Sequence, residues 1–275
     1  MGLRINQNTM AATAHRNLSI SDGMLNRSME RLSSGFRINR ASDDAAGLAK
    51  SERLRADIRG LNQAVRNAQD GVSFVQTAEG ALDEVTSILQ RINELAVSAA
   101  NTATGDGAAE QAEVTQLLAQ IDNIGSATSF AGNPVFGVNG VSFQIGATST
   151  DLISITTTTL SSASLSDGVG SAVDLSTIDL ANAASAAIYT VRSAIDEINS
   201  YRADLGATQN RLEHTIANLN VTTENLQSSE SRIRDLDIAA EMVQFTRHQI
   251  MVQAGTAMLA QANLIPQTVL QLLRS

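Results

Sequence analysis

Apolar residues recur in the N-terminal third at helical spacing. They run Leu54, Ile58, Leu61, Val65, Ala68, Val72 and Val75, in steps that alternate four and three. Such a heptad repeat predicts a helix with one continuous apolar seam. The seam resumes as Ala78, Leu82, Val85, Leu89, Ile92 and Ala96, after consecutive three-residue steps at Val72–Val75–Ala78. That stammer overwinds a supercoil locally. One helix is therefore predicted from about Asp43 to Ala100. Ser42 and Asp43 are its N-cap candidates, with Asp44 in the first turn. The run Asn101–Gly107 ends it and turns the chain. A shorter helix follows, with Val114, Leu117, Ile121 and Ile124 on one face.

The C-terminal half repeats the pattern. Ile188, Val191, Ile195, Ile198, Tyr201 and Leu205 step by three or four, and Leu212, Ile216, Leu219, Thr223 and Leu226 continue the row. Two long helices from opposite ends of the chain, with matched stripes, predict an antiparallel coiled coil. A third stripe, Met251, Ala254, Met258, Ala262, Ile265, Val269 and Leu272, marks a last helix, with Pro266 a candidate kink. The fold class is thus mainly α, a helical core from both termini with a small β-hairpin and loop insert. The hairpin is read from Val141–Ile145 and Leu152–Ile155, alternating runs around a Gly146–Asp151 turn. Asn133-Pro134 and Asn139-Gly140 are turn dipeptides in the same region. Between 148 and 166, twelve of nineteen residues are Ser or Thr, so this segment is expected to be exposed and to add little core.

Charge divides the chain the same way. All nineteen basic residues lie outside 92–191, the nearest being Arg91 and Arg192. Nineteen acids accompany them, so the two outer segments are neutral together, and the middle carries the whole net charge of -9. Copies of a surface stack closely only when their charges do not sum. The ends are read as segments that pack against their own copies, and the middle as the part that faces water.

Composition narrows the chemistry. There is no Cys, hence no disulfide, thiolate metal site or Cys nucleophile. Trp is absent and aromatics are 3%, low for a globular enzyme core. The acidic balance offers no basic stripe for nucleic acid. No run of 18 apolar residues predicts membrane insertion, and the first eight residues lack the apolar core of a cleavable signal. His15, His214 and His248 are isolated, which favours packing over metal binding. Asp43-Asp44 and Asp83-Glu84 are adjacent carboxylates that point apart on a helix, so they read as caps or solvated positions. Gly168-Val169-Gly170 lacks the third glycine of a nucleotide loop. No catalytic residue, cofactor or metal site is expected, and the chain reads as a non-enzyme. The two ends hold too few large apolar residues to offset the entropy of ordering them alone. They are expected to be disordered in a dilute monomer and helical on assembly.

Several ordered blocks resemble bacterial flagellin. At the N-terminal end these are Arg31-Leu32-Ser33-Ser34-Gly35-Phe36-Arg37-Ile38-Asn39, Asp43-Asp44-Ala45-Ala46-Gly47-Leu48-Ala49, Asn67-Ala68-Gln69-Asp70-Gly71-Val72-Ser73 and Thr77-Ala78-Glu79-Gly80-Ala81-Leu82. At the other end they are Ser231-Arg232-Ile233-Arg234-Asp235-Leu236-Asp237, Gln253-Ala254-Gly255-Thr256, Ala260-Gln261-Ala262-Asn263 and Leu272-Leu273-Arg274. The similarity spans roughly 1–130 and 187–275. It implies a subunit that leaves the cell unfolded and polymerises into the flagellar filament. Residues 1–44 and 236–275 would form inner-tube helices, 45–132 and 186–235 the outer-tube core, and 133–185 a short variable, surface-exposed region. A hook–filament junction protein of the same family, a non-polymerising coiled-coil adaptor, and a flagellin-like enzyme with a catalytic insert are the other readings.

The resemblance also implies partners: the chain itself, the flagellar type III export apparatus, a flagellin export chaperone, the filament cap protein and hook–filament junction proteins. The export information would lie near Asn26–Gly47, and the chaperone would cover roughly Leu236–Arg274. Met251, Met258, Ile265, Val269, Leu272 and Leu273 are the expected chaperone and assembly residues. A vertebrate innate immune receptor recognises the family through its outer-tube helices. Here the matching stretch is Gln90-Arg91-Ile92-Asn93-Glu94-Leu95-Ala96-Val97 with Glu113 beside it. Gln90, Arg91, Glu94, Leu95 and Glu113 are the expected contacts, with Arg91 and Leu95 at their centre. Asn93 and Leu118 stand where arginines are common. The implied location is secreted and extracellular, in the flagellum.

Overall fold

The computed structural model describes residues 8–101, 107–137, 140–148, 150–165 and 173–272. Five helices carry most of the chain: α1 (Thr9–Ser34), α2 (Ala45–Ala99), α3 (Ala108–Ala127), α4 (Leu180–Arg234) and α5 (Ile238–Leu272). Among the described residues, six short strands lie between α3 and α4. The mainly α class read from the periodicity is the observed one. None of the described helices is long and apolar enough to cross a membrane. Residues separate into two compact units, one of 1–56 with 225–275 and one of 57–224.

Helix ends are set by identifiable caps. Asn8 accepts the Ala11 N–H at 3.0 Å and opens α1, and Gly35, at φ 74°, closes it by donating to Arg31 O at 2.8 Å. A left-handed residue at this point is nearly free of strain only as glycine. At α2 the expected caps are displaced by one residue. Asp44 Oδ1 accepts the Gly47 N–H at 2.8 Å, whereas Asp43 Oδ2 accepts the Arg40 N–H at 3.0 Å and closes the preceding turn. A capping side chain must reach the N–H three residues on, and Asp44 has that register.

In the 57–224 unit, Val75, Ala78, Leu82, Val85, Leu89, Ile92 and Ala96 of α2 are fully or nearly fully buried. They share one core with Val114 and Ile121 of α3 and with Val191, Ile198, Tyr201 and Leu205 of α4. The α2–α4 pairing is antiparallel: Arg202 meets Glu79 at 3.9 Å and Asp83 at 3.4 Å, and Gly71 faces Leu212. The stammer coincides with a second buried direction. Phe74, off the predicted seam, is 3% exposed and packs edge-on against Phe130 at 5.9 Å and tilted against Phe143 at 5.8 Å. Here α2 meets the insert as well as α4.

The predicted hairpin is present. β3 (Val141–Gln144) pairs antiparallel with β4 (Leu152–Ile155), with Phe143 opposite Ile153. Two smaller hairpins accompany it, β1 (Ser129–Phe130) with β2 (Asn133–Pro134) and β5 (Leu160–Ser161) with β6 (Ser164–Leu165). The hydroxyl-rich stretch is not the coreless segment its composition suggests. Ile153, Ile155, Leu160 and Leu165 are buried, as are Thr157 and Thr158. Alternation along β4 points every second side chain inward. The polar positions are satisfied locally: the Thr157 hydroxyl accepts the Gly140 N–H at 3.2 Å, and Thr158 O accepts the Gly137 N–H at 2.9 Å.

Candidate functional site

The first candidate site is the surface of the α1–α5 pair. These helices run antiparallel: Asn8 Nδ2 donates to Ala262 O at 2.8 Å at one end, and Arg31 lies 3.9 Å from Glu241 at the other. On α1 the covered positions include Ala11, Ala14, Leu18, Ser21, Leu25, Ser28 and Leu32, a heptad row that mixes small or hydroxyl residues with Leu. On α5 they are Phe245, His248, Val252, Gly255, Leu259 and Ala262. Gly255 is the point of closest approach, since a Cβ there would sit 3.1 Å from Leu18 Cδ1. The small residues let the backbones come near each other, and large ones fill the adjacent holes.

The expected assembly stripe of α5 is therefore not its packed face. Met251 and Met258 are 46% and 64% exposed, and only Ala262 of the described stripe residues is buried. α5 is apolar on two sides, so periodicity marks two stripes and cannot rank them. The outward side also carries Met242, Val243, Ile250 and Leu264, and α1 adds Met10, Ile20, Met24 and Met29, all exposed. An open groove of about 560 Å³ lies between the two helices, lined by Met10, Thr13, Leu18, Met251, Ala254 and Met258. The side chains of Ile265, Val269 and Leu272, and Leu273 altogether, lie outside the described residues.

The same unit carries a dense ion-pair network where α1 leads into α2 and α4 into α5. Arg31 pairs with Asp43, Arg40 with Glu30, Arg55 with Glu230, and Arg234 with Glu52. The Arg234 hydrogen bond holds the Glu52 carboxyl below the usual carboxylate range. Arg234 also stacks over the Phe36 ring at 4.9 Å, and the backbones pair through Arg37 N–H to Arg234 O at 2.7 Å and Leu236 N–H to Gly35 O at 3.0 Å. Ion pairs thus tie the two linkers together, although the unit of 1–56 with 225–275 holds thirteen basic and nine acidic residues and is net positive, not neutral. Periodicity gives no sign of this crossing of two short linkers.

The second candidate surface lies on α2 and α3. Arg91 Nε donates to Glu113 Oε1 at 2.9 Å and Nη1 to Glu94 Oε2 at 3.1 Å. Both hydrogen bonds, Glu113 first, raise the Arg91 pKa above its ordinary value. Gln90 and Arg91 are exposed beside them. Leu95, expected as an apolar contact, is 7% exposed and belongs to the core, and the exposed apolar residue nearby is Val97. His248 lies half-buried on the packed face of α5 and His15 is exposed on α1. His214 sits beside Arg211 and Asp151 in a hollow near the β3–β4 turn. No group of three or more His, Cys, Asp or Glu suited to a metal occurs among the described residues.

Family comparison decides what these surfaces belong to. The bacterial flagellin N-terminal helical region matches residues 5–139, and the C-terminal helical region matches 188–273. The chain belongs to the bacterial flagellin family. It is 51% identical over 274 residues to a flagellin of Halalkalibacterium halodurans, covering 98% of this chain and 99% of that one. It is 49% identical over 286 residues to the flagellar filament 33 kDa core protein of Treponema phagedenis, with 98% and 99% covered. With the flagellin of Bacillus subtilis it shares 46% over 304 residues, covering 99% and 100%. This flagellin thus matches its relatives end to end, through both terminal helices.

Proposed function

We infer that this flagellin is the structural subunit of a flagellar filament, an extracellular appendage, and acts by polymerising rather than by catalysis. The observation that carries the reading is the uncovered apolar surface on α1 and α5 of a helical unit laced by ion pairs. Exposed Met, Ile, Val and Leu side chains have a free-energy cost in water that a neighbouring copy removes. Head-to-tail contacts whose rotation does not close generate an open helical polymer. Residues 1–44 and 236–275 then form the inner tube, 45–132 and 186–235 the outer tube, and 133–185 the exterior. The family is represented at near-complete coverage by proteins named flagellin and filament core protein, which favours the filament over the hook–filament junction.

Export precedes assembly in this reading. The chain leaves unfolded through the flagellar type III apparatus. A chaperone shields the α5 surface around Met251 and Met258 in the cell, and the cap and junction proteins meet it outside. On the outer-tube helices, Gln90, Arg91, Glu94 and Glu113 form the surface offered to a vertebrate innate immune receptor, supported from beneath by Leu95. The polymer is tested by electron microscopy of salt-precipitated protein seeded with filament fragments. Long filaments are expected, and none at any concentration would leave a non-polymerising coiled-coil protein.

A further inference from the structure

The methionines are distributed unevenly. Seven are present, and apart from Met1 every one lies in α1 or α5. All six are exposed: Met10, Met24, Met29, Met242, Met251 and Met258 range from 45% to 64%. The span 57–224 contains none and fills its core with Leu, Ile, Val, Ala, Phe and Tyr201. Leu matches Met in volume and helix propensity. Met differs in its flexible thioether, which adapts to changing contacts and is open to oxidation. Cys and Trp are absent, so no thiol or indole competes for a two-electron oxidant.

We propose that these six methionines form an oxidation-sensitive modification site that controls whether the free subunit can polymerise. The inference rests on the assembly reading above, with a second copy of this chain as the occupant of the surface. Hydrogen peroxide is the oxidant. The thioether sulfur attacks one peroxide oxygen, the S–O bond forms as the O–O bond breaks, and the departing hydroxide takes a proton to become water. Sulfur loses two electrons and the product is methionine sulfoxide. The sulfoxide brings a strong acceptor into a surface that must be desolvated, where Met10, Met251 and Met258 line the groove between α1 and α5. Met242 and Met251 alter the adjoining patch with Val243 and Ile250 in the same way. In the filament a neighbouring copy covers the sulfurs and peroxide reaches them slowly. The core of the 57–224 unit contains no methionine and is untouched.

The test treats the full-length monomer with hydrogen peroxide, maps sulfoxides by peptide mass spectrometry, and measures elongation from filament seeds. Expected results are sulfoxides at the six positions and a critical concentration raised about tenfold or more. The thermal transition of the monomer stays where it was. Reduction by the two methionine sulfoxide reductases, one for each epimer, restores growth. A variant with all six changed to Leu (M10L, M24L, M29L, M242L, M251L, M258L) elongates equally well before and after peroxide. Should that variant fail to assemble untreated, the reductase arm alone decides. Elongation of fully oxidised wild type at the untreated rate overturns the proposal, as does equal oxidation of these positions in filaments and monomers. Failure of untreated wild type to elongate refutes the assembly reading itself.

Discussion

Gly125 near the end of α3 separates two effects of the same substitution. A Cβ added there would lie 2.0 Å from the backbone oxygen of Leu160 and 3.1 Å from its carbonyl carbon. Backbone cannot swing aside as a side-chain tip does, so β5 must retreat by about 1.4 Å to restore an ordinary contact. The retreat loosens Leu160 and Leu165, which are 6% and 1% exposed, and the Ser161–Ser162 bonds to Asp122. Overpacking of this kind costs about 1–3 kcal/mol, and partial exposure of the two leucines adds roughly 1–2 more. Against this, Ala gains about 1 kcal/mol over Gly in helix propensity. The net is a loss of roughly 2 kcal/mol. Gly80 supplies the control, since it lies within α2 and a Cβ there meets nothing within 4 Å. Gly80→Ala keeps the propensity gain and has no clash. Scanning calorimetry of the dilute monomer should show Gly125→Ala lowering the transition by about 4–8 °C and Gly80→Ala raising it by about 2–4 °C. A neutral or stabilising Gly125→Ala would refute the close approach of α3 and β5.

Other consequences are equally direct. Phe74→Ala removes the ring that contacts Phe130 and Phe143 and should cost about 3–5 kcal/mol by denaturant titration of the monomer. A cost under about 1 kcal/mol would place Phe74 outside the core. Burial pushes the Asp122 carboxyl up, but the Ser162 N–H and the Ser162 and Ser161 hydroxyls outweigh it and hold the pKa below the ordinary value. A depressed carboxyl stabilises the fold above the unfolded pKa of about 4, and that stability is lost as pH falls through the lower folded value. Asp122→Asn should therefore destabilise the monomer at neutral pH and lose that effect at about pH 2, and a pH-independent difference would contradict the assignment. Arg91→Ala removes two exposed ion pairs, so it should leave monomer stability within about 1 kcal/mol. The same variant should lower receptor activation in a reporter assay, and unchanged activation removes Arg91 from the contact. Amide exchange along α1 and α5 should be fast in dilute monomer and slow in filaments, because an isolated helix pair is marginal. Strong protection of both helices in the monomer would contradict this.

Much of the helical frame is legible because a buried seam has to recur every three or four residues. The buried run from Val75 to Ala96 is the predicted one, and α3 and α4 follow the same rule. Legibility ends where an element has more than one neighbour. Phe74 is off the α2 seam because it answers to strands far along the chain. α5 misleads for a related reason: both its sides are apolar, so periodicity does not rank the side facing α1, with Phe245, Val252, Gly255, Leu259 and Ala262, above the side with Met251 and Met258. The partner's pattern contained the missing clue. Leu18 of α1 lies close against the α5 backbone, and Gly255 is the residue opposite it. In the insert, the alternation that buries Ile153 and Ile155 is legible as a hairpin strand, but Ser/Thr content hides the burial of Thr157, Thr158, Leu160 and Leu165, since composition averages over buried and exposed positions. Of the candidate contact residues, Arg91 and its two glutamates are exposed, whereas Leu95 belongs to the same seam as Ile92.

The account depends most on where the Met-bearing surface of α1 and α5 goes when subunits meet. A cryo-electron density map of filaments grown from the full-length chain measures that directly. Met10, Met251 and Met258 should be enclosed by neighbouring copies near the filament axis, with residues 141–165 on the outside. A map with those methionines facing bulk solvent, or with the acidic middle packed at the axis, would contradict it.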